Sequence, residues 1–165
     1  YDGKYIFSKM GYNFLPSEIS AAFALEQLKK LKKNINSRCK NFEMINNFFK
    51  KLESLFILPT QFKGLKTGWL AYPLIIRDEK KIKRTEIQIF LEKSNIQTRT
   101  IFTGNILRQP IMKSMIYKKT LNSHVNSDNI MKNGLLIGCH HGLTQNDIDY
   151  MLAKFTYFLK RKRLI

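Results

Sequence analysis

The chain is poor in the residues that punctuate, staple or mark a polypeptide: among 165 residues there are four prolines, eight glycines, two cysteines, three histidines and one tryptophan. Cys39 and Cys139 are too few for a disulfide framework and read as free thiols of a reducing, cytoplasmic setting. No apolar run reaches the roughly 18 residues that a membrane-spanning helix needs. Neither a GxGxxG nor a GxxxxGK[ST] loop occurs, so no glycine-rich cradle for phosphate is encoded. A metal centre is not expected. His140 and His141 are adjacent and point in different directions, His124 is distant, and no helical His-x-x-x-His pair exists. Cys139 beside His140 is read as a small hydrophobe at the end of a buried strand rather than as a nucleophile.

Acidic residues are scarce as well: 12 Asp and Glu face 29 Lys and Arg, for a net charge of +17 at pH 7. Such a balance favours polyanions in general. The basic residues are dispersed, however, as Lys29-Lys30, Lys32-Lys33, Lys50-Lys51, Lys80-Lys81 and Lys118-Lys119, mostly between apolar residues at helical spacing. They read as solvated helix faces, and Lys160-Arg161-Lys162-Arg163 as a solvated tail. A nonenzymatic polyanion-binding domain is kept as an alternative. The absence of a nucleic-acid motif or an aromatic–basic face argues against it. With 44% hydrophobic and 12% aromatic residues the chain can bury a core without disulfides or metal, which excludes a disordered segment.

Read along its length, the chain divides into an extended lead-in (1–16), a long helix (17–54) and a small α+β domain (55–165). Pro16-Ser17-Glu18 starts the helix: Ser17 can cap and Glu18 complements the helix dipole. Leu28, Leu31, Ile35, Phe42, Ile45, Phe49 and Leu52 recur at steps of three, four and seven, which places them on one face. An unbroken helix of that extent is roughly 57 Å long, more than a small domain can flank, so it is expected to bridge domains or to lie against a second subunit. Beyond Leu58-Pro59, strands are predicted at 69–77, 96–102 and 135–139. Pro73 marks the first of these as an edge or bulge. Helices are predicted from a Thr85/Gln88 capping box, weakly over 111–120, at 128–133 between a Ser127 cap and Gly134, and from a Thr144/Asp147 box carrying Ile148, Met151, Leu152, Phe155 and Phe158. The fold class is α+β: a long N-terminal helix and a small three-stranded sheet covered by helices on one side.

Two polar segments are candidates for chemistry. Ser8 to Asn13 places a Gly-aromatic-Asn tripeptide just before a helix start, where backbone N–H groups and one amide can meet an anion. The ordinary alternative is a loop before a cap. Thr98-Arg99-Thr100-Ile101-Phe102-Thr103-Gly104-Asn105, continuing to Arg108-Gln109-Pro110, gathers two arginines, amides and hydroxyls at a strand end. Ligand groups collect at such positions, and guanidinium suits phosphate or carboxylate. Surface ion pairing is the alternative there.

These same residues carry a family resemblance. GYN at 11–13, with Ala21, Ala22, Leu25, Gln27 and Leu28, resembles the start of the C-terminal part of the DegT/DnrJ/EryC1/StrS family of pyridoxal-phosphate (PLP) enzymes. TRTIFTGNILRQP (98–110) is similar to the signature of that family's nucleotide-4-keto-6-deoxyhexose 3-dehydratase branch. The likeness continues through Asp128 to Met131, Ile137-Gly138, Gly142 to Thr144 and Ile148 to Met151. It departs at Leu15, where a basic residue is common, at Ser20 and Ala24, and at His140-His141, where an aromatic and a proline are common.

The resemblance implies the C-terminal domain of a fold-type-I enzyme that uses PLP or its amine form PMP. It implies a homodimeric, cytoplasmic protein acting on a nucleotide-linked keto-deoxysugar in deoxysugar or lipopolysaccharide synthesis. The cofactor's Schiff-base lysine, or the histidine that replaces it, falls outside this chain, which begins at Tyr1. No catalytic residue is therefore expected here, and the chain alone is expected to be inactive. Asn13 matches an asparagine that reaches the cofactor phosphate of the partner subunit, with Tyr12 beside it. Arg99, Asn105 and Arg108 match the signature and are expected to line the substrate pocket. A sugar aminotransferase is the alternative activity.

Overall fold

The computed structural model describes Tyr12, Phe14, residues 16–118 and residues 124–165. Two compact units are distinguished, Tyr1–Lys33 and Asn34–Ile165. In the first, every described residue is exposed, including Ile19, Phe23, Leu25 and Leu28 of the helical segment.

Helix α1 runs Glu18–Lys50. The Ser17 carbonyl accepts the Ala21 N–H at its start. It ends four residues earlier than periodicity predicts, because Leu52 N–H turns back to the Phe49 carbonyl and Leu55 N–H to that of Leu52. The chain is thereby freed to pair as a strand. The predicted apolar face is real but unequally used: Phe42, Ile45 and Phe49 are buried, whereas Leu28 and Leu31 are exposed.

Four strands form one antiparallel sheet: β1 (Phe56–Ile57), β2 (Ala71–Ile76), β3 (Thr98–Thr100) and β4 (Gly134–Gly138), in the order β1-β2-β4-β3. This corrects the three-stranded expectation. β1 has two residues, too short to show an alternating pattern, and it exists through its pairing with Ile75 and Ile76. Pro73 lies in a strand with neighbours on both sides, yet β1 reaches only Ile75 and Ile76, so at Pro73 the sheet continues on the β4 side alone. A residue without an N–H is tolerated there for the reason that it is tolerated at an edge.

Alternation sorts the sheet's two faces. Tyr72, Leu74, Ile76, Leu135 and Ile137 point into the core, while Ala71, Pro73, Ile75, Leu136 and Gly138 are half-buried on the opposite face. Helices α2 (Arg84–Glu92) and α4 (Gln145–Arg161) supply Ile87, Leu91, Ile148, Phe155 and Leu159 to the core, and α1 adds its C-terminal turns. Phe49 is the hub: its ring lies 5.0 Å from Phe155, 5.5 Å from Phe56 and 5.6 Å from Tyr72. Tyr72 donates a 2.7 Å hydrogen bond to Asn46 Oδ1, which satisfies its buried hydroxyl.

Three local expectations change. Lys83, not Thr85, is the N-cap of α2; Gln88 instead accepts from Arg84 at 2.7 Å. Of the weak helix expected at 111–120 only the 3-10 turn Pro110–Lys113 is found, residues 115–118 carry no helix and 119–120 lie outside the described residues; a second 3-10 turn, Ile106–Arg108, falls within the expected loop. Helix α3 is Val125–Asn133, starting after His124, so Ser127 lies inside it; Gly134 closes it as expected. The Thr144/Asp147 box is present in both directions.

Candidate functional site

The signature segment leaves β3 through a tight turn. Gly104 N–H donates to the Ile101 carbonyl at 3.1 Å, and Thr100 Oγ1 donates to the Phe102 carbonyl at 3.0 Å. Two residues of this turn have left-handed backbones: Gly104 at φ 67° and Phe102 at φ 47°. For glycine the conformation is free of steric cost; for phenylalanine it is strained. Gly104 is required for a second reason. A Cβ there would stand 2.3 Å from the Met131 Cβ, so the loop can approach α3 this closely only with hydrogen at that position.

Asn105 follows, 4% exposed. Its Oδ1 accepts the Leu107 N–H at 3.0 Å and caps the 3-10 turn, and its Nδ2 donates to Asp128 Oδ1 at 2.7 Å. Arg108 grips the same carboxylate with two bonds, Nε to Oδ1 at 3.0 Å and Nη2 to Oδ2 at 2.7 Å. This is the two-pronged geometry in which guanidinium binds carboxylate best. These donors, Arg108 first and Asn105 second, hold the Asp128 carboxyl down at about 2, and the Arg108 guanidinium is pushed up in turn. Asp128 sits in the first turn of α3, so the clasp ties loop to helix. A cavity of about 340 Å³ lies beside the loop, with Thr103, Asn105 and Leu107 on one wall and Tyr117, His124 and Ser127 on another.

Structure thus brings two of the sequence candidates, Asn105 and Arg108, onto one partner and leaves the third apart. Arg99 stands on β3 opposite Leu136, exposed, and lines a different cavity of about 460 Å³ with Gln97, Gly138, His140 and Tyr150. Tyr12 is exposed, its ring stacked on Phe14 at 5.3 Å. Asn13 lies outside the described residues. Asp128 was not among the sequence candidates. Its signal is its place in the Asp-Asn-Ile-Met stretch, one of few acids in a basic chain. In the histidine turn the His140 carbonyl accepts from Asn41 Nδ2 at 2.8 Å, and His141 Nδ1 lies 3.3 Å from Arg38 Nη2. Among the described residues no three His, Cys, Asp or Glu side chains converge as a metal site, and no helix is long and apolar enough to cross a membrane.

Residues 1–156 match the DegT/DnrJ/EryC1/StrS aminotransferase family. The chain belongs to that family. It is 30% identical over 158 residues to the lipopolysaccharide biosynthesis protein RfbH of Salmonella typhimurium, covering 96% of this chain and 36% of the relative. To the GDP-4-keto-6-deoxy-D-mannose 3-dehydratase of Escherichia coli O55:H7 it is 34% identical over 143 residues, 86% of this chain and 36% of the relative. Among solved structures, a GDP-4-keto-6-deoxymannose-3-dehydratase with a trapped PLP-glutamate geminal diamine superposes with a TM-score of 0.81 at 30% identity, over 92% of this chain and 38% of that one. The chain therefore spans little more than a third of the length of the relatives it matches. Transaminases occur among the relatives too, such as the dTDP-4-amino-4,6-dideoxy-D-glucose transaminase of Escherichia coli at 29% identity over 106 residues.

Proposed function

We propose that this chain is the C-terminal portion of a homodimeric, cytoplasmic, PLP- or PMP-dependent nucleotide-sugar 3-dehydratase, acting on a CDP- or GDP-linked 4-keto-6-deoxyhexose in deoxysugar or lipopolysaccharide synthesis. The observation that carries this reading is the 98–110 segment. It holds the signature on which the dehydratase resemblance rests, and it is built as an ordered loop around a buried asparagine. Similarity to dehydratases along nearly the whole chain supports it.

In such an enzyme the cofactor ring supplies the electron sink for loss of the sugar's C3 hydroxyl. This chain's own residues have binding and orienting roles. Asn13, with Tyr12 beside it, would offer an amide donor to the cofactor phosphate across the dimer; a neutral amide N–H suits a phosphate oxygen. The 98–110 segment, with Arg99, Asn105 and Arg108, would border the nucleotide-sugar. No residue of this chain is assigned a proton transfer.

The test is an assay of the complete gene product with CDP- and GDP-4-keto-6-deoxyhexoses, following the C3 hydroxyl by mass spectrometry. Loss of the hydroxyl is expected. Transamination at C4 with that hydroxyl retained would assign the aminotransferase activity instead.

A further inference from the structure

Asn105 and Arg108 direct hydrogen bonds to the loop's own backbone and to Asp128, although the Arg108 side chain is otherwise largely exposed. Both ends of the Asn105 amide are engaged, one by the Leu107 N–H and one by Asp128. Arg108 directs Nε and Nη2 to the same carboxylate. The apolar group that the loop exposes most is Phe102, at 87%, against 53% for Ile106. Its backbone is held in a conformation that a phenylalanine avoids, at φ 47°. That conformation is enforced from both sides. Thr100 Oγ1 and the Ile101–Gly104 bond close the turn, Gly104 is seated against Met131, and the residues that follow are clasped to Asp128. Strain and an exposed aromatic ring both disfavour the loop by itself. Surroundings that over-determine such a conformation are characteristic of sites where something binds.

We propose that Asp128 is a positioning residue for nucleotide-sugar recognition: by holding Asn105 and Arg108 it fixes the 101–104 turn, so that the ring of Phe102 is the surface on which a flat face of the ligand stacks. This rests on the nucleotide-sugar reading above and narrows it, since Asn105 and Arg108 act through the loop. The flat face belongs to the nucleobase or to the apolar side of the hexose; the chemistry, stacking on an aromatic ring, is shared.

The experiment uses the complete polypeptide that carries these residues. Calorimetry measures Kd for a GDP- or CDP-linked hexose and for GDP or CDP alone, and hydrogen exchange follows the amides of residues 101–108. Phe102→Ala is expected to weaken binding roughly tenfold or more with loop exchange unchanged, and Phe102→Tyr to restore it. Weakening for the free nucleotide as well assigns the base; weakening for the sugar nucleotide alone assigns the hexose. Asp128→Ala is expected to speed exchange at Leu107 and Arg108 and to weaken binding as Phe102→Ala does, and the double variant to be no weaker than either. Asp128→Asn, which keeps a hydrogen-bonding group in place, is expected to fall between. An unchanged Kd for Phe102→Ala overturns the platform. Unchanged exchange in Asp128→Ala, or fully additive losses, overturns the positioning role. A wild-type protein that binds neither nucleotide nor nucleotide-sugar overturns the functional reading and the platform together, while the exchange measurement still decides whether Asp128 sets the loop.

Discussion

Burial settles the chemistry of Cys139. Its side chain is fully enclosed, its Sγ lies 3.7 Å from the Arg38 carbonyl, and burial pushes its thiol up from an ordinary 9.0 to about 12. The thiolate is the reactive form, so a raised value means protection up to strongly alkaline pH. At about pH 8.5, iodoacetamide is expected to leave Cys139 unmodified in the native protein and to label it in denaturant, read by peptide mass spectrometry. Gly104 makes the opposite point, about space rather than charge. Alanine there meets both a left-handed backbone and the Met131 side chain, so Gly104→Ala is expected to cost about 2 kcal/mol or more in urea unfolding. The reading of Cys139 as a small hydrophobe was available from the apolar Leu135–Cys139 run. The need for Gly104 was not, because Met131 is brought to it by folding from 27 positions away.

Elements whose signals are local behave as their residues predict. In α4, Thr144 and Asp147 cap each other's backbone: Asp147 Oδ2 accepts from Thr144 N at 2.8 Å and from its hydroxyl at 2.7 Å, and Thr144 Oγ1 accepts from Asp147 N–H at 3.3 Å. Those bonds from Thr144 hold the Asp147 carboxyl below its ordinary range. Thr144→Ala is expected to cost about 1 kcal/mol, measurable by thermal or urea unfolding. The similar Thr85/Gln88 pattern fails because the chain enters α2 two residues earlier, and Gln88 finds stronger use bridging Arg84 and Thr98. A capping pattern states what the side chains can do; neighbouring elements determine whether they do it. β1 escapes prediction for the related reason that two residues carry no period, and pairing with β2 alone defines it.

At the scale of the molecule, the unit Asn34–Ile165 is held by an aromatic-rich core and very little by the charges among the described residues. Phe49 connects α1, β1, β2 and α4. Phe49→Ala is expected to cost about 3–5 kcal/mol in the same unfolding measurement, a large part of a small domain's total stability. The ion pairs among the described residues are exposed or half-exposed, and those contribute little. Composition and periodicity were sufficient for the α+β class, the long helix and three of four strands, because each depends on neighbours within a few residues; the family was legible only through its resemblance to a contiguous motif at 98–110. Even the signature loop could be recognised as a candidate site from its run of arginines and amides. Its internal wiring could not. That Asn105 and Arg108 share the carboxylate of Asp128, that Arg99 stands in another cavity, and that Phe102 is held outward all depend on which distant segments folding places side by side. Hydrogen bonds and steric fit act over a few ångströms in space, whereas a sequence orders residues only along the chain.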